Sequence, residues 1–187
     1  MKSRSAFTLV EMAMVLIVMG IIVGSSTKLF TSLAKNAKRQ ETKELLKEIS
    51  LDIEGFVKTF YRLPTQEELK SFRMQSKDSW GKEILYIPSE ILKTAICRQK
   101  VSSLEHVQND KHVKNLAYVL LSSGPNRNMQ TRVEGTSSLK VTTAKAWETV
   151  DFNKALIDRV EPYDDFYKTK TLWSLKAELQ CKKEALR

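Results

Sequence analysis

Apolar residues dominate the first stretch of the chain. From Phe7 to Gly24 (FTLVEMAMVLIVMGIIVG) eighteen residues carry one charge, Glu11. As a helix this run is about 27 Å long, close to the roughly 30 Å hydrocarbon core of a bilayer. Beyond Gly24 the apolar residues thin to a stripe. Leu29, Phe30, Leu33, Ala34 and Ala37 recur at helical spacings, and Leu45, Leu46, Ile49, Ile53, Phe56, Val57 and Phe60 continue them. Lys38 with Glu41, and Glu44 with Lys47, lie three apart and pair on the wet side. No proline interrupts the pattern before Pro64. The periodicity predicts one helix from about residue 7 to about residue 61.

The remaining chain changes period. Thr65-Gln66-Glu67-Glu68 reads as a capping box opening a short helix that buries Leu69 and Phe72. Asp78-Ser79-Trp80-Gly81 reads as a turn, followed by a strand over 83–88. Residues 89–113 show no clean period and read as a loop-rich insertion, with His106 and His112 exposed in it. Leu116–Ser122 (LAYVLLS) is apolar enough to be a central strand, and 123–128 a turn by composition. Residues 139–144 and 168–173 alternate as edge strands do. Between them 147–160 suggests a short helix, and Ser174 suggests the cap of a last helix over 175–183. The expected class is α+β: a long N-terminal helix on a small C-terminal antiparallel sheet.

Length and charge narrow this further. The 187 residues allow one domain beyond the first apolar segment. The formal net charge is +9, or +7 without Lys2 and Arg4, and the basic residues are spread rather than clustered. That charge suits a solvated lysine-rich surface, and also DNA, anionic lipid or acidic partners. The basic head ahead of the apolar run predicts a cytoplasmic N-terminus and a translocated remainder. Cys97 and Cys181 would then meet an oxidising compartment, where they form one disulfide or remain two buried thiols. A conventional secretory signal would be followed by a small-residue cleavage site, but the chain continues Gly24-Ser25-Ser26-Thr27-Lys28. A plain signal anchor leaves Glu11 unexplained, since a carboxylate in a membrane segment costs about 2.5–3.5 kcal/mol without a partner. No nucleophile elbow, phosphate-binding loop, dinucleotide fingerprint or zinc-protease motif occurs, so no catalytic constellation and no enzyme is expected. His106 and His112, six apart and without a neighbouring cysteine, do not spell a zinc site.

The N-terminal residues carry a more specific signal. Ala6-Phe7-Thr8-Leu9-Val10-Glu11, ahead of the long apolar run, resembles the processing site of type IV pilins and of the pseudopilins of type II secretion systems. The resemblance implies that a prepilin peptidase cuts between Ala6 and Phe7 and methylates the new terminus at Phe7. Gly is the usual residue before that cut; here it is Ala6. Glu11 becomes an assembly residue, neutralised by the Phe7 amine of a neighbouring subunit. Leu63-Pro64-Thr65, then Asp78, Trp80 and Gly81, then Tyr86, follow the order seen in major pseudopilins. Ser122, Gly124 and Asn126, with Asp164 and Asp165, are similar to the calcium-binding loops of that family. Asn126 stands where Asp is common, and Arg127 replaces Gly.

What the resemblance implies is a pilin-like fold in three parts: a leader at 1–6, a long helix at 7–61 whose membrane-spanning half is about 7–24, and a periplasmic head at 62–187. It implies a single-pass protein of the bacterial inner membrane. Its partners would be prepilin peptidase, like subunits and other pseudopilins, and an inner-membrane assembly platform. The expected role is a structural subunit of a type II secretion pseudopilus or related filament. The alternative is a minor pilin of a type IV pilus or competence system that binds DNA through its basic head. A third is an anchored periplasmic domain that never assembles.

Overall fold

The computed structural model describes residues 9–72, 77–108, 111–135, 138–144, 149–150 and 161–181. Ala6 and Phe7 therefore lie outside the described residues. The chain forms two compact units, Met1–Lys38 and Arg39–Arg187. Helix α1, Leu9–Phe60, contributes to both.

Among the described residues of the first unit the large apolar side chains are exposed. Leu9 is 85% exposed and Ile21 68%. Among the described residues no helix is long and apolar enough to cross a membrane.

In the second unit the predicted stripe supplies the buried face of α1 through Val57, while Phe56 is half-buried and Phe60 is exposed. Leu45, Leu46, Ile49, Ile53 and Val57 are all buried, each contributing about 2 kcal/mol relative to exposure. They pack on a three-stranded antiparallel sheet of order β1-β4-β9, made of Leu85–Pro88, Leu116–Ser122 and Phe166–Thr171. Strand β4 is buried along its whole length because both of its faces are covered. Ala117, Tyr118 and Leu120 join the α1 side, while Leu116, Val119 and Leu121 join a second core with Ile87, Leu104 and Val141. A register shift between Leu116 and Tyr118 accommodates Ala117. Ser50 and the Tyr118 hydroxyl, 2.8 Å apart, form a buried polar link between helix and sheet. Lys170 reaches Glu54 of α1 at 2.8 Å.

The second core is closed by a four-stranded sheet of order β3-β2-β6-β5: β2 Leu104–Gln108, β3 Lys111–Val113, β5 Arg132–Glu134 and β6 Leu139–Thr143. Here the structure departs from the sequence reading. Among its described residues the head holds three sheets, and this one is mixed, with β2 and β6 parallel. Residues 89–113 are not a loop-rich insertion. They carry a 3-10 turn at Glu90–Lys93 and strands β2 and β3. The period-2 signal in LEHVQ is hidden because its inward position 106 is a histidine. His106 is buried, its Nε2 2.7 Å from Thr143 Oγ1 and its ring against Tyr167, rather than exposed in a loop. Strand β6 is interior, flanked by β2 and β5, so its alternation reflects its two faces rather than an edge.

Four smaller elements follow among the described residues of the head. The capping box closes helix α2, Gln66–Phe72: Thr65 Oγ1 accepts the Glu68 N–H at 3.2 Å, and Glu68 accepts the Thr65 N–H at 2.8 Å. The last helix, α3, is Leu172–Glu178, starting three residues earlier than the sequence suggests. Thr171 is its N-cap, accepting the Ser174 N–H, because β9 runs directly into the helix at Thr171. Of the helix expected over 147–160, Thr149–Val150 is strand β7, paired with β8 at Glu161–Pro162. The rest of that segment lies outside the described residues.

Candidate functional site

The sequence reading named two sites, one at the N-terminus and one in the loops after β4. At the first, Glu11 lies in the first turns of α1, and its neighbours Leu9, Val10, Met12 and Met14 are exposed.

The second site is built at the Ser122 end of β4. Asp78 anchors it from below. Its Oδ1 accepts the N–H groups of Trp80 at 3.0 Å and Lys82 at 2.8 Å, which folds the Asp-x-Trp-Gly turn. Its Oδ2 accepts the Ser122 hydroxyl at 2.7 Å, and Ser122 Oγ in turn accepts the Gly124 N–H. The chain then turns with Gly124 at φ +64° and Arg127 at φ +61°. A Cβ on Gly124 would stand 2.2 Å from the Asp164 carbonyl oxygen. Only glycine fits where these two segments touch.

Asp164 and Asp165 thus lie beside the loop that the sequence placed them with, across some thirty intervening residues. Asp164 Oδ2 accepts the Asn126 N–H at 3.0 Å, and Asn126 Oδ1 accepts the Asn128 N–H at 2.8 Å. Asp165 Oδ2 accepts three donors: the N–H groups of Gln130 and Thr131, each at 2.7 Å, and the Thr131 hydroxyl at 2.8 Å. Since Thr131 gives its proton to Asp165, the Tyr163 hydroxyl donates to Thr131 Oγ1 at 2.8 Å. The Gln130 amide clamps the partner segment, accepting from Asp164 N–H and donating to the Pro162 carbonyl. Sequence reasoning missed Gln130, Thr131 and Tyr163. The available signal was a polar Gln-Thr pair just after the turn, with no apolar role to explain it.

The electrostatics follow from burial. Desolvation pushes the Asp165 carboxyl up to about 6, outweighing the three hydrogen bonds that favour its anion. The Tyr163 phenol is raised by burial too. Asp165 Oδ1 and Ser123 Oγ are buried without a hydrogen-bond partner. Carboxylates are oxygen ligands of the kind calcium takes, but here Asp165 Oδ2 is filled by three donors, Asp164 Oδ2 by the Asn126 N–H and Asn126 Oδ1 by the Asn128 N–H. Carbonyls and water would have to complete its six to eight ligands. Among the described residues no group of three or more His, Cys, Asp or Glu side chains could hold a metal.

The Asp165 shift makes a pH prediction. Its folded value lies above its ordinary one, so the folded state holds the proton more tightly. That stability is fully present below about pH 4 and is lost as pH rises through about 6, at most about 3 kcal/mol without metal. Urea titrations in a chelating buffer at pH 4 and pH 7 should show the drop for the native chain. Asp165→Asn, which keeps an oxygen acceptor and cannot ionise, should flatten it. Parallel profiles for the two proteins would refute the assignment.

Cys97 and Cys181 form the disulfide, their Cα atoms 5.5 Å apart. No family model, curated protein or solved structure matches the chain.

Proposed function

We propose that this chain is a structural subunit of a pilin-like filament, nearest to the type II secretion pseudopilins. The observation that carries the reading is the exposed apolar first part of α1, residues 9–22, in which Glu11 is the one acid, ahead of a folded head. Residues of about 7–24 would span the inner membrane before assembly and pack against like helices afterwards. Such a surface is costly in water, and lipid or a helix bundle removes that cost. Glu11 would pair with the Phe7 amine of a neighbour, which sets register where an unpaired carboxylate is unfavourable. The reading is supported by the order of the Leu63-Pro64-Thr65 corner, the Asp78 turn and the Ser122–Asn126 loop along the chain. The disulfide suits an oxidising compartment.

Mass spectrometry of the chain purified from membranes of a host with prepilin peptidase should find N-methylated Phe7 as the first residue. Glu11→Ala should still be inserted and cut, yet yield at most a tenth of the sedimentable assemblies. An intact Met1 leader, or normal assembly of the Glu11 variant, would overturn the reading.

A further inference from the structure

The loop that resembles a calcium site spends its ligands on the chain itself. A carboxylate oxygen offers about two lone-pair positions. Asp165 Oδ2 already receives the N–H groups of Gln130 and Thr131 and the Thr131 hydroxyl. Asp164 Oδ2 receives the Asn126 N–H. Asn126 has its own oxygen committed to the Asn128 N–H, and its amide nitrogen is the atom left buried without a hydrogen-bond partner. An amide nitrogen carries only donors, which repel a cation. Gln130 uses one end of its amide on the Pro162 carbonyl and the other on the Asp164 N–H. What is left is Oδ1 of each aspartate and Ser123 Oγ, where calcium takes about six to eight oxygens. Arg127 adds a positive charge at the turn. The donors, by contrast, form a connected line. The buried Tyr163 hydroxyl gives to Thr131 Oγ1 at 2.8 Å, and Thr131 gives to Asp165 at 2.8 Å.

We propose that residues 122–131 and 162–165 form a metal-free clasp, in which Gln130, Thr131 and Tyr163 take the place that a divalent cation holds in the loops this segment resembles. The head then folds and stays closed without calcium. Hydrogen bonds to a carboxylate are charge-assisted and stronger than neutral ones, so three on one oxygen offset much of the cost of burying it. The clasp lies inside one head and does not depend on the filament reading. It also gives the two departures at 126 and 127 one physical meaning: each removes a feature that a cation needs, an oxygen at the first and an uncharged turn at the second. A loop held this way responds to loss of its donors and ignores the cation concentration. A cation-held loop does the reverse.

The test melts the full chain in detergent at pH 7, followed by circular dichroism. One buffer contains chelator and the other about 10 mM calcium, above the affinity range of extracellular calcium modules. Magnesium in the first buffer matches the ionic strength. The native chain should melt within about 1 °C in the two buffers, whereas a resident site would raise the midpoint in calcium by roughly 3 °C or more. Such a rise overturns the clasp. Thr131→Val, which removes the hydroxyl and orphans the Tyr163 donor, should lower the midpoint by roughly 4–8 °C in both buffers. Tyr163→Phe keeps the ring and removes only the outer link, so it gives a reading even where Thr131→Val fails to fold; it should lower the midpoint by roughly 2–4 °C. Recovery of either variant in calcium, or melting of both like the native chain, overturns the clasp. Asn126→Asp with Arg127→Gly exchanges the orphaned nitrogen for oxygen and removes the cation. This double variant should gain the response, melting roughly 3 °C or more higher in calcium than in chelator. Its indifference to calcium would overturn the meaning assigned to positions 126 and 127. Melting reports a single head, so a calcium response in the native chain leaves the filament reading standing, and failure to form assemblies leaves the clasp standing.

Discussion

Breaking the Cys97–Cys181 disulfide lowers the stability of the head by about 4 to 5 kcal/mol. The two cysteines are 84 residues apart in sequence. Closing a loop of that size removes much of the unfolded chain's freedom, and chain-entropy estimates put the effect near the top of the range for single disulfides. The bond also holds the C-terminal end of α3 to the turn at 96–98, beside the link from Lys176 to Gln99. Domains are stable by only about 5–15 kcal/mol, so the loss is about a quarter or more of the whole. Urea titration of the native chain against Cys97→Ala/Cys181→Ala, both in detergent, measures it. A difference below about 1 kcal/mol would mean that the unfolded chain is already constrained in other ways.

The second large effect is expected at Gly124. Gly124→Ala combines a left-handed backbone, φ +64°, with a Cβ placed 2.2 Å from the Asp164 carbonyl oxygen. Backbone cannot swing aside as a flexible side chain does, so the two loop segments must part. Asp165 then loses its hydrogen bonds from Gln130 and Thr131, and Asp164 loses Asn126. A loss of about 3 kcal/mol or more is expected, lowering the melting temperature by roughly 6–12 °C for a chain of this size. Gly81→Ala is the control. Its φ is +81°, but nothing lies within 4 Å of the added Cβ, so only the backbone term of about 1–2 kcal/mol applies. Equal losses at the two glycines would show that conformation alone, and not the contact with Asp164, governs the loop.

These two sites show why parts of the molecule were legible in the sequence. The apolar stripe of α1 was readable because a helix face repeats every three to four residues, and Leu45, Ile49, Ile53 and Val57 are buried on it. The capping box at Thr65 and the turn at Asp78 were readable because local hydrogen bonds need particular side chains at fixed short spacings. Strand β4 was readable because burial on both faces leaves an unbroken apolar run. Each of these signals is local, and each stays within about one element of its cause.

What the sequence could not decide is everything set by partners far along the chain. LEHVQ is a strand because β6, some 35 residues on, lies parallel beside it; its inward histidine is satisfied by Thr143 rather than by a neighbour in sequence. The start of α3 was misplaced because Thr171 and Ser174 both suit an N-cap, and the end of β9 selects between them. The candidate loop is the clearest case. Ser122, Gly124, Asn126 and the two aspartates were named from the resemblance to pseudopilin loops, whereas Gln130, Thr131 and Tyr163 emerged only when the folded head brought residues 162–165 against 124–131. The single acid in an apolar helix was set by sequence alone, because charge and periodicity are properties of the chain. The closed loop was set by tertiary structure, because only packing on β4 fixes which distant side chains share a surface.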